Sequence, residues 1–95
     1  MIDAAIVGLG RWGRTLVEAV QGASSRLRFT RAVVRRPGAH LDFAAKQGLA
    51  IAEDLATVLA DPSIDAVVLA TPHSLHCGQI LAAAAAGKLS FAKSR

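Results

Sequence analysis

The apolar positions of this chain change period as they run. Ile2–Val7 (IDAAIV) is a short apolar stretch that stops at GLGRWG, and from there Trp12, Leu16, Val17 and Val20 recur at helical spacing. Strand, glycine-rich turn and helix are predicted in that order. Gly22, Ser24 and Ser25 stop the helix, and residues 27–34 (LRFTRAVV) form a β-branched and aromatic run that closes at Arg35, Arg36, Pro37 and Gly38, a second strand. Residues 39–47 predict a short helix with Leu41, Ala44 and Ala45 inward and Gly48 as its stop, followed by a brief third strand over 49–52.

Asp54 is placed to cap a helix through Leu55, Val58 and Leu59 that ends at Asp61 and Pro62. Residues 64–70 (IDAVVLA) are nearly continuous in apolar character, as a central parallel strand covered on both faces requires. After Thr71 and Pro72 a helix carries Leu75, Ile80, Leu81 and the alanine run to Gly87, and residues 88–92 predict a last strand. Strand and helix alternate throughout, so the expected fold is α/β: a doubly wound parallel sheet of the Rossmann type, three-layer αβα, with right-handed crossovers.

A length of 95 residues, 53% hydrophobic and 19% charged, fits one domain and excludes a disordered chain. A single unit over 1–95 is expected, without room for a separate substrate domain. The single cysteine, Cys77, cannot form an intramolecular disulfide, and no targeting segment opens the chain, so a cytoplasmic location is expected. The uncharged stretch over 66–87 is interrupted by Pro72, His73, Ser74, His76 and Gln79, and is not read as a membrane span. Charge is uneven. Residues 1–36 hold seven Arg against Asp3 and Glu18, while the rest holds four basic and five acidic residues. A pI near 10.2 admits a nucleic-acid partner, but four aromatics and no basic block longer than two residues favour a small anionic ligand instead.

The chemistry is concentrated in Gly8, Gly10 and Gly13, a G-x-G-x-x-G placed directly after a strand and at the start of a helix. Gly8 permits the tight turn, Gly10 offers no Cβ to obstruct a pyrophosphate, and Gly13 lets helix and strand approach. The N–H groups near Arg11 and Trp12 lie at the positive end of the helix dipole. An anion site follows, against the plainer reading of a glycine-rich strand-to-helix turn.

Three segments together, IVGLGRWGR, LADPSIDAVVLATPHSLH and AAAAAGK, stand in an order and spacing that resembles the N-terminal domain of the glucose-fructose oxidoreductase, inositol dehydrogenase and MocA group, over nearly the whole chain to Lys88. The resemblance implies a nicotinamide dinucleotide on this domain, hydride exchange with a sugar, cyclitol or similar alcohol, and a following α/β domain for substrate and oligomerisation. Cofactor choice is read at the end of the second strand, where an NAD-preferring domain places Asp or Glu about 20 residues after the glycines. Val34 stands there, followed by Arg35 and Arg36, two guanidiniums able to clamp a 2′-phosphate. NADP is therefore expected over NAD, the plainer reading being a solvated basic pair.

Thr71, Pro72, His73 and His76 follow the carboxyl end of the central strand, where open parallel sheets bind ligands. The resemblance sets Thr71 and Pro72 beside the nicotinamide half, puts His73 where the family has Asn, and matches His76 to the family His. A metal pair of His73 and His76 lacks a third ligand other than Cys77, so no metal is expected. The resemblance fails after Lys88: the family's Glu-Lys-Pro, with its catalytic Lys, is replaced by Lys93, Ser94 and Arg95, and no catalytic residue is assigned. The expectation is a truncated oxidoreductase domain that binds the cofactor without turnover. The alternative is a non-catalytic nucleotide-binding or interaction module on the same scaffold. Self-association through Leu89 and Phe91 of the tail strand is expected of either.

Overall fold

The computed structural model describes the chain except Met1, Gly22, Ser24, Ser25, Arg35, Arg36, Glu53, Thr71, Pro72 and residues 93–95; for Trp12, Pro37, residues 73–77, Phe91 and Ala92 it describes the backbone. Five strands, β1 (Ile2–Val7), β2 (Leu27–Val33), β3 (Ala50–Ala52), β4 (Ala66–Leu69) and β5 (Leu89–Ala92), form one parallel sheet in the order β3-β2-β1-β4-β5. Four helices connect them: α1 (Arg11–Val20), α2 (Leu41–Gln47), α3 (Leu55–Leu59) and α4 (His73–Ala85), with a 3-10 turn at Pro37–Ala39 before α2. This is the doubly wound order, with β1 at its centre.

Each face of the sheet has its own core. Ala4 and Ile6 of β1 point to one side, where Leu9, Val17 of α1, Phe29, Ala32, Val34, Ala44 of α2 and Leu49 close around them. Ala5 and Val7 point to the other, against Val58 of α3, Ile64, Val67, Leu69 and Ala83 of α4. The alternation of strand side chains thus divides one apolar run between two helical layers, which is why β1 and β4 read as continuous hydrophobic segments.

Some local readings are corrected. α2 turns Ala44 inward, but Leu41 is 56% exposed and Ala45 is exposed; Phe43, two residues on from Leu41, packs against the core instead. The 3-10 turn delays the start of α2 until Leu41 and rotates the helix relative to a start at Ala39. On α4, Ile80 and Leu81 are exposed while Ala83 is buried in the core with Ala5, Val7, Val67 and Leu69. Asp54 caps α3 as expected, its carboxylate accepting from Thr57 N–H at 2.8 Å, and Gly48 ends α2 in the left-handed region.

Candidate functional site

The carboxyl ends of the strands are level. Val7 stands opposite both Val33 and Leu69, Val33 opposite Ala52, and Leu69 opposite Ala92. Four connections therefore open along one edge of the sheet, those after β1, β2, β3 and β4, with the glycine turn being the first. The order reverses between β1 and β4, which carry chain to opposite sides, and that crevice is where an open α/β sheet receives a ligand. Gly8 N–H donates to Val33 O at 2.8 Å and Ala70 N–H to Val7 O at 2.9 Å, so both rims of the crevice are tied into the sheet.

Each of the three glycines meets a distinct requirement. Gly8 has φ 96°, a conformation open to glycine and strained for other residues. A Cβ on Gly13 would collide with the carbonyl oxygen of Gly8, so the third glycine lets α1 press against the turn. Gly10, the N-cap of α1, has φ −68° and nothing within 4 Å of the position its Cβ would take. Any L-residue could adopt that backbone, so the freedom kept at Gly10 is space above the turn.

The first i to i−4 bond of α1 is Arg14 N–H to Gly10 O at 3.0 Å, which leaves the N–H groups of Arg11, Trp12 and Gly13 ahead of the helical ladder. Gly10 has no side chain to cap this end, and no acidic residue stands in the first turn. An open space over uncapped N–H groups at the positive end of a helix suits the pyrophosphate of a dinucleotide, and Arg11 is exposed beside it.

Of the other expected site residues, Arg35, Arg36, Thr71 and Pro72 lie outside the described residues; their neighbours Val34 and Ala70 are fixed at the level carboxyl edge by Val34 N–H to Ala52 O and Ala70 N–H to Val7 O. His73 and His76 fall within the first turn of α4, their side chains outside the description. Among the described residues, no group of three His, Cys, Asp or Glu could hold a metal ion, and no helix is long and apolar enough to cross a membrane.

Arg14 and His40 were not anticipated. The Arg14 guanidinium donates to Leu9 O at 3.1 Å and Ala39 O at 3.3 Å, contacts His40 Nδ1 at 2.8 Å and lies 4.9 Å from the centre of the Phe43 ring. Burial, then the positive charge of Arg14, hold the His40 imidazole below its ordinary pKa. Arg14 closes the glycine motif, a hint available in the sequence, whereas nothing near His40 marks it.

Comparison with known proteins agrees with this geometry. No curated protein matches the chain, but a family model described as an oxidoreductase family with an NAD-binding Rossmann fold matches residues 2–91. Among solved structures, scyllo-inositol dehydrogenase from Lactobacillus casei with bound NAD(H) and scyllo-inositol is 33% identical over 96% of this chain and 27% of its own, with a TM-score of 0.87. GenD2 from gentamicin A biosynthesis, in complex with NAD, is 28% identical over 96% of this chain and 26% of its own, with a TM-score of 0.86. A 3-ketoreductase from Actinomadura kijaniata, in complex with TDP-benzene and NADP, is 25% identical over 96% of this chain and 29% of its own, also at 0.86. The chain thus spans between about a quarter and three tenths of the length of these structures. A match over residues 2–91, laid on a parallel sheet whose first strand leads through a glycine turn into α1, makes the chain a member of the Gfo/Idh/MocA oxidoreductase family, forming its NAD-binding Rossmann domain.

Proposed function

We propose that the chain holds NADP in preference to NAD, and that it is the cofactor-binding part of an oxidoreductase acting on a sugar, cyclitol or similar alcohol. The observation that carries this reading is the empty space over Gly10 at the uncapped start of α1, where the pyrophosphate would accept from the N–H groups of Arg11, Trp12 and Gly13. The nicotinamide ring, when bound, supplies the hydride acceptor or donor. The chain's own residues bind and orient. Arg35 or Arg36 would pair with the 2′-phosphate, since neither residue repels it and a guanidinium matches it bidentately. Thr71, Pro72, His73 and His76, at or beyond the carboxyl end of β4, would flank the nicotinamide half. A similar structure in complex with scyllo-inositol supports a polyol substrate.

Titration calorimetry with NADP and NAD tests the reading. NADP should bind more tightly at low salt, with the difference shrinking as salt screens the arginines; equal affinities or a preference for NAD would refute the cofactor assignment. Gly10→Ser should abolish binding of either nucleotide while the melting temperature holds, because serine suits an N-cap at least as well as glycine and its side chain enters open space. Undiminished binding by that variant would remove the site from residues 8–13. With a polyol supplied, the 95-residue chain should show no steady reduction of NADP, because no positioned proton acceptor is assigned to it.

A further inference from the structure

The three carbonyl groups of the glycine turn are all met by the two residues that follow it in α1. Gly8 O faces Gly13, where a Cβ would collide with it; Leu9 O accepts from Arg14 Nε at 3.1 Å; Gly10 O accepts from Arg14 N–H at 3.0 Å. The first and third contacts involve backbone alone. The second depends on one side chain.

That second contact restrains the part of the turn which nothing else holds. The Leu9 side chain is fixed in the core at 1% exposure and the Gly10 carbonyl is fixed by the helix, which leaves the plane of the peptide between them. Gly10 has φ −68°. Turning that plane over would carry Gly10 to positive φ, a region closed to most residues by their Cβ and open to glycine. The residue that keeps space for a ligand is therefore also the one least able to hold its own N–H in place. The peptide is trans, so its C=O and N–H point in opposite directions, and with Leu9 O held toward Arg14 the Gly10 N–H is directed away from it. Gly10 is exposed, and among the described residues nothing accepts from its N–H.

We propose that Arg14 is a positioning residue of the dinucleotide site: its Nε, by holding the Leu9 carbonyl, keeps the turn in the one peptide orientation that leaves its N–H groups, Gly10 first, to the pyrophosphate. The inference rests on the dinucleotide reading given above. Arg14 acts through the turn and not on the phosphate, because its other end is engaged on the α2 side: Nη2 donates to Ala39 O at 3.3 Å and stands 2.8 Å from His40 Nδ1, and the guanidinium lies 4.9 Å from the centre of the Phe43 ring. An orientation already in place spares the ligand from imposing it, and a variant that loses it binds more weakly.

Two substitutions separate this role from that of charge. Gln places an amide nitrogen where Arg has Nε and can still donate to Leu9 O, but is neutral; Lys keeps the positive charge and places a methylene there. Attraction of phosphate by charge ranks Lys above Gln, whereas positioning ranks Gln above Lys. In calorimetry with NAD at physiological salt, Arg14→Lys should bind about tenfold more weakly than the parent, the scale of one lost hydrogen bond, and Arg14→Gln within about threefold of it. Amide 15N relaxation on the free chain gives a readout that a merely structural role would not move: the Gly10 order parameter should be about 0.85 in the parent and in Arg14→Gln, and fall below about 0.6 in Arg14→Lys. Gln21→Ala, which removes bonds to Phe29 and Gln47 at the other end of α1, controls for lost stability and should bind NAD as the parent does. Binding by Arg14→Lys that equals the parent's or exceeds that of Arg14→Gln, an unmoved Gly10 order parameter, or an equal loss in Gln21→Ala overturns the positioning role and leaves the dinucleotide site in place. Absence of NAD binding by the parent overturns the dinucleotide reading, and the role of Arg14 with it.

Discussion

A Cβ built on Gly13 would overlap the Gly8 carbonyl oxygen and approach Ala70 Cβ at 3.4 Å, and the obstructing oxygen belongs to backbone that cannot rotate aside. Gly13→Ala should therefore destabilise the chain by about 2 kcal/mol, the scale of overpacking in a close-fitted interior, measured as a shift in the urea midpoint. An unchanged midpoint would mean that α1 moves outward at no cost, and the close approach would lose its meaning. Gly10 is the contrasting case, since a side chain there meets open space. Both positions are visible in the sequence as members of one motif. Their different duties, fitting the helix and leaving room for a ligand, are legible there too; what the structure adds is the atom that Gly13 must clear, the Gly8 carbonyl oxygen.

At the scale of elements, the shortness of β3 leaves a gap that α1 fills. β3 pairs with β2 only over Arg31 to Val33, so Phe29, with a register shift beside it in the pairing to β1, lies beyond its reach. The Gln21 side chain, at the C-cap of α1, takes that place. Its amide donates to Phe29 O at 3.0 Å and to Gln47 O at 2.8 Å, and its oxygen accepts from Phe29 N–H at 2.9 Å. One side chain thus serves as a short length of strand and ties α1, β2 and α2 together. Gln21→Ala leaves polar backbone of a residue only 3% exposed without those partners, and a loss of about 2 kcal/mol is expected in denaturant titration. Retention of full stability would show that water satisfies these groups equally well. At the opposite edge, Lys88 holds the turn before β4 by donating to Asp61 O at 2.8 Å and Ile64 O at 2.5 Å, which sets β5 against β4.

Across the whole molecule, the two ends of the sheet are unequal. β3 is three residues long, whereas β5 is a four-residue strand with its far side unpaired among the described residues, Leu89 is 58% exposed, and the adjoining α4 exposes Ile80 and Leu81. Such an edge offers unpaired N–H and C=O groups beside apolar area, each Å² of which contributes roughly 25 cal/mol when covered. A second copy would supply a matching strand, and the purified 95-residue chain is expected to associate through β5. Light scattering over a dilution series should show this, and Leu89→Lys should shift the chain toward monomer. A parent that is monomeric at every concentration, or a variant that associates equally, would refute it.

The sequence by itself determined the element order, the α/β class and the glycine turn between β1 and α1, because each depends on local signals: apolar period, glycine where backbone conformation or approach demands it, and Asp54 or Gly48 where a helix starts or stops. Those signals act within a few residues. Tertiary structure decided what depends on rotation and distance. The 3-10 turn before α2 moved Leu41 outward and put Phe43 against Arg14; the crossing of α4 buried Ala83 in place of Leu81; the length of β3 gave Gln21 its task. Arg14 meets His40 from 26 positions away, and Gln21 meets Gln47 across the same separation. No periodicity along the chain encodes such a meeting, because it exists only once the sheet has set two helices side by side.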